Sequence, residues 1–209
     1  METTTFLKKS ADSGDIDAQF RFAYRFAFNT KPARWADAFK YWDSSAKQGH
    51  LRAQFYLGTC YEFGHGTKKN MRTAFHWYYL AAKGGHPEAQ FNIAMCYRDG
   101  DGIAKSQVKA VKWFKKSALG GDIWGQRDLG YSYFHGIGTK QNKKLGASWY
   151  KKAATNGDDK AQHNLGLCYL HGEGVIQSKR WALFWLLRAK QNGNKNADKT
   201  IKRIRTQSK

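Results

Sequence analysis

The chain has 209 residues, of which 41% are hydrophobic and 15% aromatic, so it has enough apolar surface for a continuous core and is not a disordered chain. Thirty-six basic against 16 acidic residues give a formal net charge of +20, which indicates an anionic or acidic partner. The amino terminus lacks the apolar run of a signal peptide, and no stretch approaches the roughly 20 apolar residues of a membrane span, so we expect a cytoplasmic protein.

An Ala-Gln or Gly-Gln step recurs 35 or 36 residues apart, at Ala18, Ala53, Ala89, Gly125 and Ala161. Such a period is typical of stacked repeats. We therefore predict an all-α, right-handed α/α superhelical solenoid of about five helix pairs, which forms one domain over residues 1–209. Its predicted parts are an N-terminal capping helix in 1–17, repeats at 18–52, 53–88, 89–124, 125–160 and 161–196, and a basic C-terminal capping helix and tail in 197–209.

The N-terminal segment has only half of a repeat. Phe6, Ser10 and Ala11 match the second helix of a repeat, and no first helix precedes them in the pattern. This predicts a single capping helix. The first repeat, 18–52, is degraded, because residues 29–31 replace the paired glycines of the later repeats.

The repeat 53–88 shows the pattern of a first helix. Leu57, Gly58 and Tyr61 are spaced for one helical face, and glycine at 58 predicts close approach by the backbone of a neighbouring helix. Gly64 and Gly66 follow, and glycine at the end of a helix can take a positive φ and reverse the chain.

The second helix of each repeat combines tryptophan with alanine. In 53–88 these residues are Trp77 with Ala74, Ala81 and Ala82, and Gly85 ends the helix. We expect the large tryptophan to pack against the small alanines without voids.

The last predicted helix matches only a first helix. Ala197, Ile201 and Ile204 keep the apolar face, whereas Lys202 and Arg205 replace the glycine and tyrosine. These polar substitutions are typical of a helix that caps the end of a solenoid.

Residues 6 to about 204 resemble the Sel-1-like repeat (SLR) family, an α/α solenoid related to tetratricopeptide repeats. The pattern A-Q-x-x-L-G-x-x-Y-x-x-G-x-G, then A-x-x-W-x-x-x-A-A-x-x-G, is best preserved in 53–85 and 161–193. Tetratricopeptide and RNA-binding pentatricopeptide repeats lack the Gly-x-Gly loop. The resemblance implies an adaptor that assembles other proteins, common in bacterial systems, and it brings no catalytic residues.

Three cysteines, Cys60, Cys96 and Cys168, occupy one repeat position. Stacked helices lie roughly 10 Å apart, which is too far for a disulfide. We expect buried apolar thiols, with a reactive thiol as the alternative.

The concave surface of the predicted solenoid is the candidate binding site. First-helix positions opposite the packing face carry aromatic side chains and few charges, and aromatics with arginine are favoured anchors of protein interfaces. The alternative is that some of these side chains pack between repeats. The predicted partner-binding groove consists of Phe20, Tyr24, Phe55, Phe63, Phe91, Met95, Arg98, Trp124, Arg127, Tyr131, Phe134, His135, His163, Leu167 and His171.

A basic surface is the second candidate. It should attract an acidic protein, nucleic acid or an anionic membrane. Nucleic-acid binding needs aromatics among the charges, and here aromatic and basic residues fall mostly on different helices, so an acidic protein is favoured. The predicted basic surface consists of Lys115, Lys116, Lys143, Lys144, Lys151, Lys152, Lys199, Lys202, Arg203 and Arg205.

No enzyme motif can be singled out. The paired glycines lack the strand and the Gly-Lys-Ser/Thr of a phosphate loop, and His135 and His171 have no further metal ligand beside them. We therefore expect no catalytic residues, no metal and no cofactor. The expected function is a scaffold or adaptor that holds a peptide or helix of another protein in its groove. The alternatives are an immunity or antitoxin-type protein that sequesters a toxin, and a nucleic-acid-binding solenoid.

Overall fold

The structure is a computed structural model, and it describes residues 4–206. Within this range the secondary structure consists of twelve α-helices and no strand, which confirms the all-α class. The helices are α1 (Thr4–Asp12), α2 (Ile16–Phe28), α3 (Trp35–Lys47), α4 (Leu51–Phe63), α5 (Met71–Lys83), α6 (Pro87–Asp99), α7 (Gln107–Leu119), α8 (Ile123–His135), α9 (Lys143–Thr155), α10 (Asp159–His171), α11 (Lys179–Gln191) and α12 (Lys195–Thr206).

The chain divides into two compact units, Met1–Lys105 and Ser106–Lys209. The division falls inside the predicted repeat 89–124, between its two helices. In each unit, helices that follow one another along the chain pack together, from α1 to α6 in unit 1 and from α7 to α12 in unit 2. We call α2, α4, α6, α8, α10 and α12 first helices, and α1, α3, α5, α7, α9 and α11 second helices.

The paired glycines end the first helix of each of the four later repeats as predicted. Gly64 and Gly172 end α4 and α10 with φ of 78° and 70°, and their N–H groups donate to the carbonyl oxygens of Cys60 and Cys168. The second glycine of a pair has a different role. A Cβ added at Gly174 would overlap the backbone at Lys143, so glycine is needed there for contact between the loop and the start of α9.

In each second helix a large side chain that is almost fully buried lies one residue beyond the predicted tryptophan. Trp149 and Trp185 are buried, but Trp77 and Trp113 are only half-buried. The residue that follows the tryptophan position is buried in every described second helix, and these residues are Leu7, Trp42, Tyr78, Phe114, Tyr150 and Leu186.

The small residue of the first helix makes room for this deep side chain. A Cβ at Gly58 would lie 2.6 Å from Tyr78, and one at Gly166 would lie 2.7 Å from Leu186. The predicted close approach at Gly58 is therefore an approach by a side chain of the following helix.

The recurring glutamine ties each first helix from α2 to α10 to the second helix before it. Its buried side chain donates from Nε2 to a backbone carbonyl near the end of that helix, for example from Gln54 to Ala46 at 3.2 Å and from Gln162 to Ala154 at 3.0 Å. Gln19, Gln90 and Gln126 make the same bond. The same carbonyl oxygens also accept the N–H of the glycine after the helix, for example Gly49 on Ala46 at 3.0 Å, so the glutamine is a second donor to a carbonyl at the helix end.

The three thiols are free and buried, as predicted. Burial raises the pKa of Cys60, Cys96 and Cys168 to about 12, so each is a protonated apolar side chain at neutral pH. The predicted apolar face of the C-terminal helix α12 is buried through Ala197, Ile201 and Ile204.

Candidate functional site

An aromatic cluster covers the first helices of unit 1. The ring of Tyr56 in α4 lies 5.9 Å from each of the rings of Phe20, Tyr24 and Phe28 in α2. Tyr24 and Phe28 are exposed, Tyr56 is half-buried and Phe20 is buried. The structure thus brings two predicted groove residues together with two aromatic neighbours.

Basic side chains border this cluster. Arg21, Arg25 and Arg52 line a cleft of about 590 Å³ whose wall includes Phe20 and Tyr24. The guanidinium of Arg52 lies 4.9 Å from the ring centre of Phe20. The cleft therefore combines cations with aromatic surface, which suits an acidic segment that also carries apolar side chains.

The other predicted groove residues of unit 1 differ in how much surface they offer. Phe63 is exposed, Phe55 and Met95 are half-buried, and Phe91 is buried. Arg98 pairs with the adjacent Asp99 at 2.7 Å. Phe20 and Phe91 pack mainly inside the protein, in line with the alternative that this position packs between helices.

In unit 2, exposed rings lie on α8. Trp124 is 54% exposed and Tyr131 is 47% exposed. The ring of Tyr131 lies 4.4 Å from that of His135, which is also exposed. Phe134 is half-buried, and its ring packs against that of Tyr150 with a centroid distance of 5.9 Å. Trp124, Tyr131 and His135 therefore offer a contact surface.

Arg127 has a structural partner on each side. Its guanidinium lies 2.7 Å from Asp128 and 3.1 Å from Asp158, the residue that caps the N-terminus of α10. Burial alone would lower the pKa of Arg127, but the two carboxylates outweigh it and raise the pKa. Arg127 therefore joins α8 to α10, and its charge is compensated.

The last three predicted groove residues lie on α10. His163 lies 3.3 Å from the hydroxyl of Thr200 on α12, so it packs against the capping helix. Burial lowers its pKa. Leu167 is half-buried and His171 is exposed.

The start of α6 carries a histidine in the place of an acidic cap. His86 Nδ1 accepts a hydrogen bond from the N–H of Ala89 at 3.4 Å, as the carboxylates of Asp122 and Asp158 do for α8 and α10. Burial lowers the pKa of His86, and this effect outweighs Glu88, whose carboxylate lies 3.2 Å from the ring.

We expect the protein to lose stability as the pH falls below about 6.5. The unfolded His86 takes up a proton near that pH, whereas the folded ring stays neutral to lower pH, so acidification favours the unfolded chain. His86→Asp keeps a cap that works when charged and should reduce the loss of Tm between pH 7.5 and 5.5. An equal loss of Tm in both proteins would show that this cap does not respond to pH.

All ten residues of the predicted basic surface are exposed, and all lie in unit 2. Two of them have acidic partners, because Lys143 pairs with Glu173 at 2.7 Å and Lys202 pairs with Asp198 at 3.0 Å. The prediction that aromatic and basic residues fall mostly on different helices is wrong for the second helices of this unit. Lys116 lies 4.3 Å above the ring of Trp113, and Lys152 lies 4.2 Å above that of Trp149.

Residues 4–206 show neither a metal-binding cluster nor a membrane-spanning helix. This range contains no group of three or more His, Cys, Asp or Glu side chains placed to hold a metal ion. None of its helices is long and apolar enough to cross a membrane.

The predicted partner-binding groove does not include two members of the candidate site. Phe28 and Tyr56 complete the aromatic cluster of unit 1, with Tyr56 in contact with three rings of α2. Phe28 follows Tyr24 by one helical turn, which was a usable signal. Tyr56 gave no such signal in the sequence. Its contact with the rings of α2 becomes visible only when α2 and α4 are placed side by side in the structure.

The sequence matches the family model "Sel1 repeat" over residues 36–50, 51–86, 87–122, 125–158 and 159–194. Among solved structures, the chain is similar to a Sel1 repeat protein from Oxalobacter formigenes, with 32% identity and a TM-score of 0.87 over 96% of this chain and 59% of that one. It is also similar to c5321, a protective antigen of uropathogenic Escherichia coli with an SLR fold, with 28% identity and a TM-score of 0.75 over 94% of this chain and 50% of that one.

A more distant similarity is to the immunity protein Pa5087 from Pseudomonas aeruginosa, with 21% identity and a TM-score of 0.57 over 87% of this chain and 67% of that one. At this identity the similarity concerns the fold alone. The chain spans 59% and 50% of the length of the two proteins from Oxalobacter and Escherichia. The comparison with curated proteins gave no match.

Proposed function

The chain belongs to the Sel1 repeat family, and on that premise we propose that it is a non-catalytic adaptor that binds a segment of another protein on the surfaces of its first helices. Sel1 repeat proteins commonly mediate protein–protein interactions, and their scaffolds are generally non-catalytic. The observation that carries the proposal is the exposure of large aromatic rings on first helices of both units.

These rings are not required by the repeat itself. Tyr24, Trp124 and Tyr131 are 38%, 54% and 47% exposed, while the side chains that stabilise the repeat, such as Tyr78 and Tyr150, are almost fully buried. Exposed aromatic groups gain free energy when a partner covers them, and they are common anchors of protein interfaces.

The charge of the protein selects the kind of partner. A net charge of +20 attracts acidic proteins and repels basic ones, and the cleft of unit 1 places three arginines beside aromatic rings. The proposed partner is therefore an acidic segment with apolar or aromatic side chains among its carboxylates.

A pull-down from native lysate, with and without nuclease, tests this function. We expect a protein partner that is retained after nuclease treatment. In a titration with that purified partner, Tyr131→Ala should weaken binding about tenfold, since truncation of an interface tyrosine often costs more than 1 kcal/mol. Phe184→Ala removes an exposed ring on the second helix α11, so it is the matched control and should retain the affinity.

Three other results would change the assignment. Recovery of nuclease-sensitive ribonucleoprotein alone would favour the nucleic-acid alternative. A tight one-to-one complex with a single toxin would favour the immunity alternative. Equal affinity of wild type and Tyr131→Ala would remove α8 from the binding surface.

A further inference from the structure

The second helices of unit 2 carry all of the net charge of its helices outside the C-terminal cap. Each of α7, α9 and α11 has four basic residues and no acidic one. By contrast, α8 and α10 each have one basic and one acidic residue. The positive charge is thus concentrated on one layer of the unit.

These helices start at a common edge. The loop before α9 packs on the start of α7, because a Cβ at Gly138 would overlap the backbone of Gln107. The loop before α11 packs in the same way on the start of α9, with Gly174 against Lys143. At the other end, Asn192 after α11 donates to the carbonyl of Gly157 after α9 at 3.3 Å. The starts of α7, α9 and α11 therefore follow one another along one edge.

This edge repeats a pair of neighbouring exposed side chains, one basic and one apolar. The three pairs are Val108 with Lys109 on α7, Leu145 with Lys144 on α9, and Trp181 with Arg180 on α11. The loop before α11 adds Ile176, which is 90% exposed. We call Val108, Lys109, Lys144, Leu145, Ile176, Arg180 and Trp181 the N-terminal edge of unit 2.

The chemistry of this edge selects its occupant. A second copy of the chain would bring a like charge to the same place and is disfavoured. Nucleic acid needs aromatic faces for its bases, but three of the four apolar side chains, Val108, Leu145 and Ile176, are aliphatic. Aliphatic and tryptophan side chains among lysines and arginines suit the boundary between lipid headgroups and acyl chains, where basic groups meet anionic lipids.

We propose that the N-terminal edge of unit 2 docks on an anionic phospholipid surface. The apolar side chains enter the headgroup region, and Lys109, Lys144 and Arg180 face the anionic lipids. This contact is made from one side of the bilayer and is separate from the first-helix surfaces, so the protein can hold a protein partner while it is docked.

Sedimentation with vesicles tests the proposal on the whole 209-residue chain. We expect binding to vesicles of 70% phosphatidylcholine and 30% phosphatidylglycerol, weak binding to pure phosphatidylcholine, and a loss of affinity as salt is raised. The charge variant K144E/R180E should bind at least about 30-fold more weakly, since the loss of each basic group costs about fivefold and the new carboxylates repel the anionic lipids. The apolar variant I176S/W181S should bind the mixed vesicles about tenfold more weakly.

Two matched controls carry the same kinds of change elsewhere. K68E/K69E makes the same charge reversal in exposed loop residues of unit 1, and Leu119→Ser removes an exposed apolar side chain at the other end of α7. Both should bind the vesicles almost as wild type does. Tyr131→Ala should also keep vesicle binding, which separates this proposal from the protein-binding surface.

The proposal fails if binding does not depend on phosphatidylglycerol, or if the controls lose as much affinity as the edge variants. It also fails if the protein does not bind the vesicles but binds a fluorescent oligothymidylate of about 30 nucleotides through the same residues. That result would assign the edge to nucleic-acid binding. Circular dichroism confirms that each variant is folded. If I176S/W181S has a lower Tm than wild type, V108S/L145S provides the same test of the apolar side chains.

Discussion

Gly174→Ala is expected to destabilise the protein by about 2–5 kcal/mol. Gly174 has a φ of 74°, and the left-handed region costs a residue with a Cβ about 1–2 kcal/mol. The new Cβ would also overlap the backbone at Lys143, which cannot rotate away as a side chain can. Overpacking of this kind adds about 1–3 kcal/mol.

Gly157→Ala is the matched control for this prediction. Gly157 has a φ of 95°, and no atom lies within 4 Å of the added Cβ, so only the conformational cost of about 1–2 kcal/mol applies. Urea unfolding of both variants measures the difference. Equal losses of unfolding free energy would show that the loop before α11 does not pack tightly on the start of α9.

Tyr78→Ala is expected to cost about 3–5 kcal/mol, more than Trp77→Ala, although Trp77 is the residue that the repeat pattern marks. Large-to-small changes at fully buried aromatic residues have costs of this size. Tyr78 is 1% exposed and packs over Gly58, and its hydroxyl donates to Glu62 at 2.5 Å. Trp77 is half-buried, so its truncation leaves a smaller cavity.

Thermal and urea unfolding of the two variants, with Tyr78→Phe as a third, check this order. Tyr78→Phe keeps the ring and removes the hydroxyl, so we expect most of the stability to remain. A larger loss for Trp77→Ala than for Tyr78→Ala would contradict the placement of the deep side chain one residue beyond the tryptophan.

Much of this fold could be predicted because the same residues recur at a fixed spacing. The step at Ala53 and Gln54, the paired glycines and the cap at Ala197 gave the number of helices and their order along the chain. The role of Gln54 was not predicted. A buried glutamine that bonds to the carbonyl of Ala46 looks in the sequence like any polar residue, and its partner becomes visible only when two helices are packed.

The candidate site was harder to predict because periodicity shows which face of a helix a residue occupies but not how deeply it is buried. Phe20 and Phe91 share a repeat position with Phe55, yet both are buried. Arg127 takes the same position and is held by Asp128 and Asp158. Helix ends raise another difficulty, since the apolar residues at the N-terminal edge of unit 2 occupy positions that the repeat leaves variable.

The central claim is that a protein partner lies on the first helices, and site-specific photo-crosslinking tests it most directly. Benzoylphenylalanine is placed at Tyr24 or Tyr131 on first helices, or at Lys115 on a second helix, and the protein is irradiated in its native cells. We predict that each first-helix position crosslinks to a protein partner and that position 115 does not. Crosslinks from position 115 alone, or no crosslink from positions 24 and 131, would contradict the account.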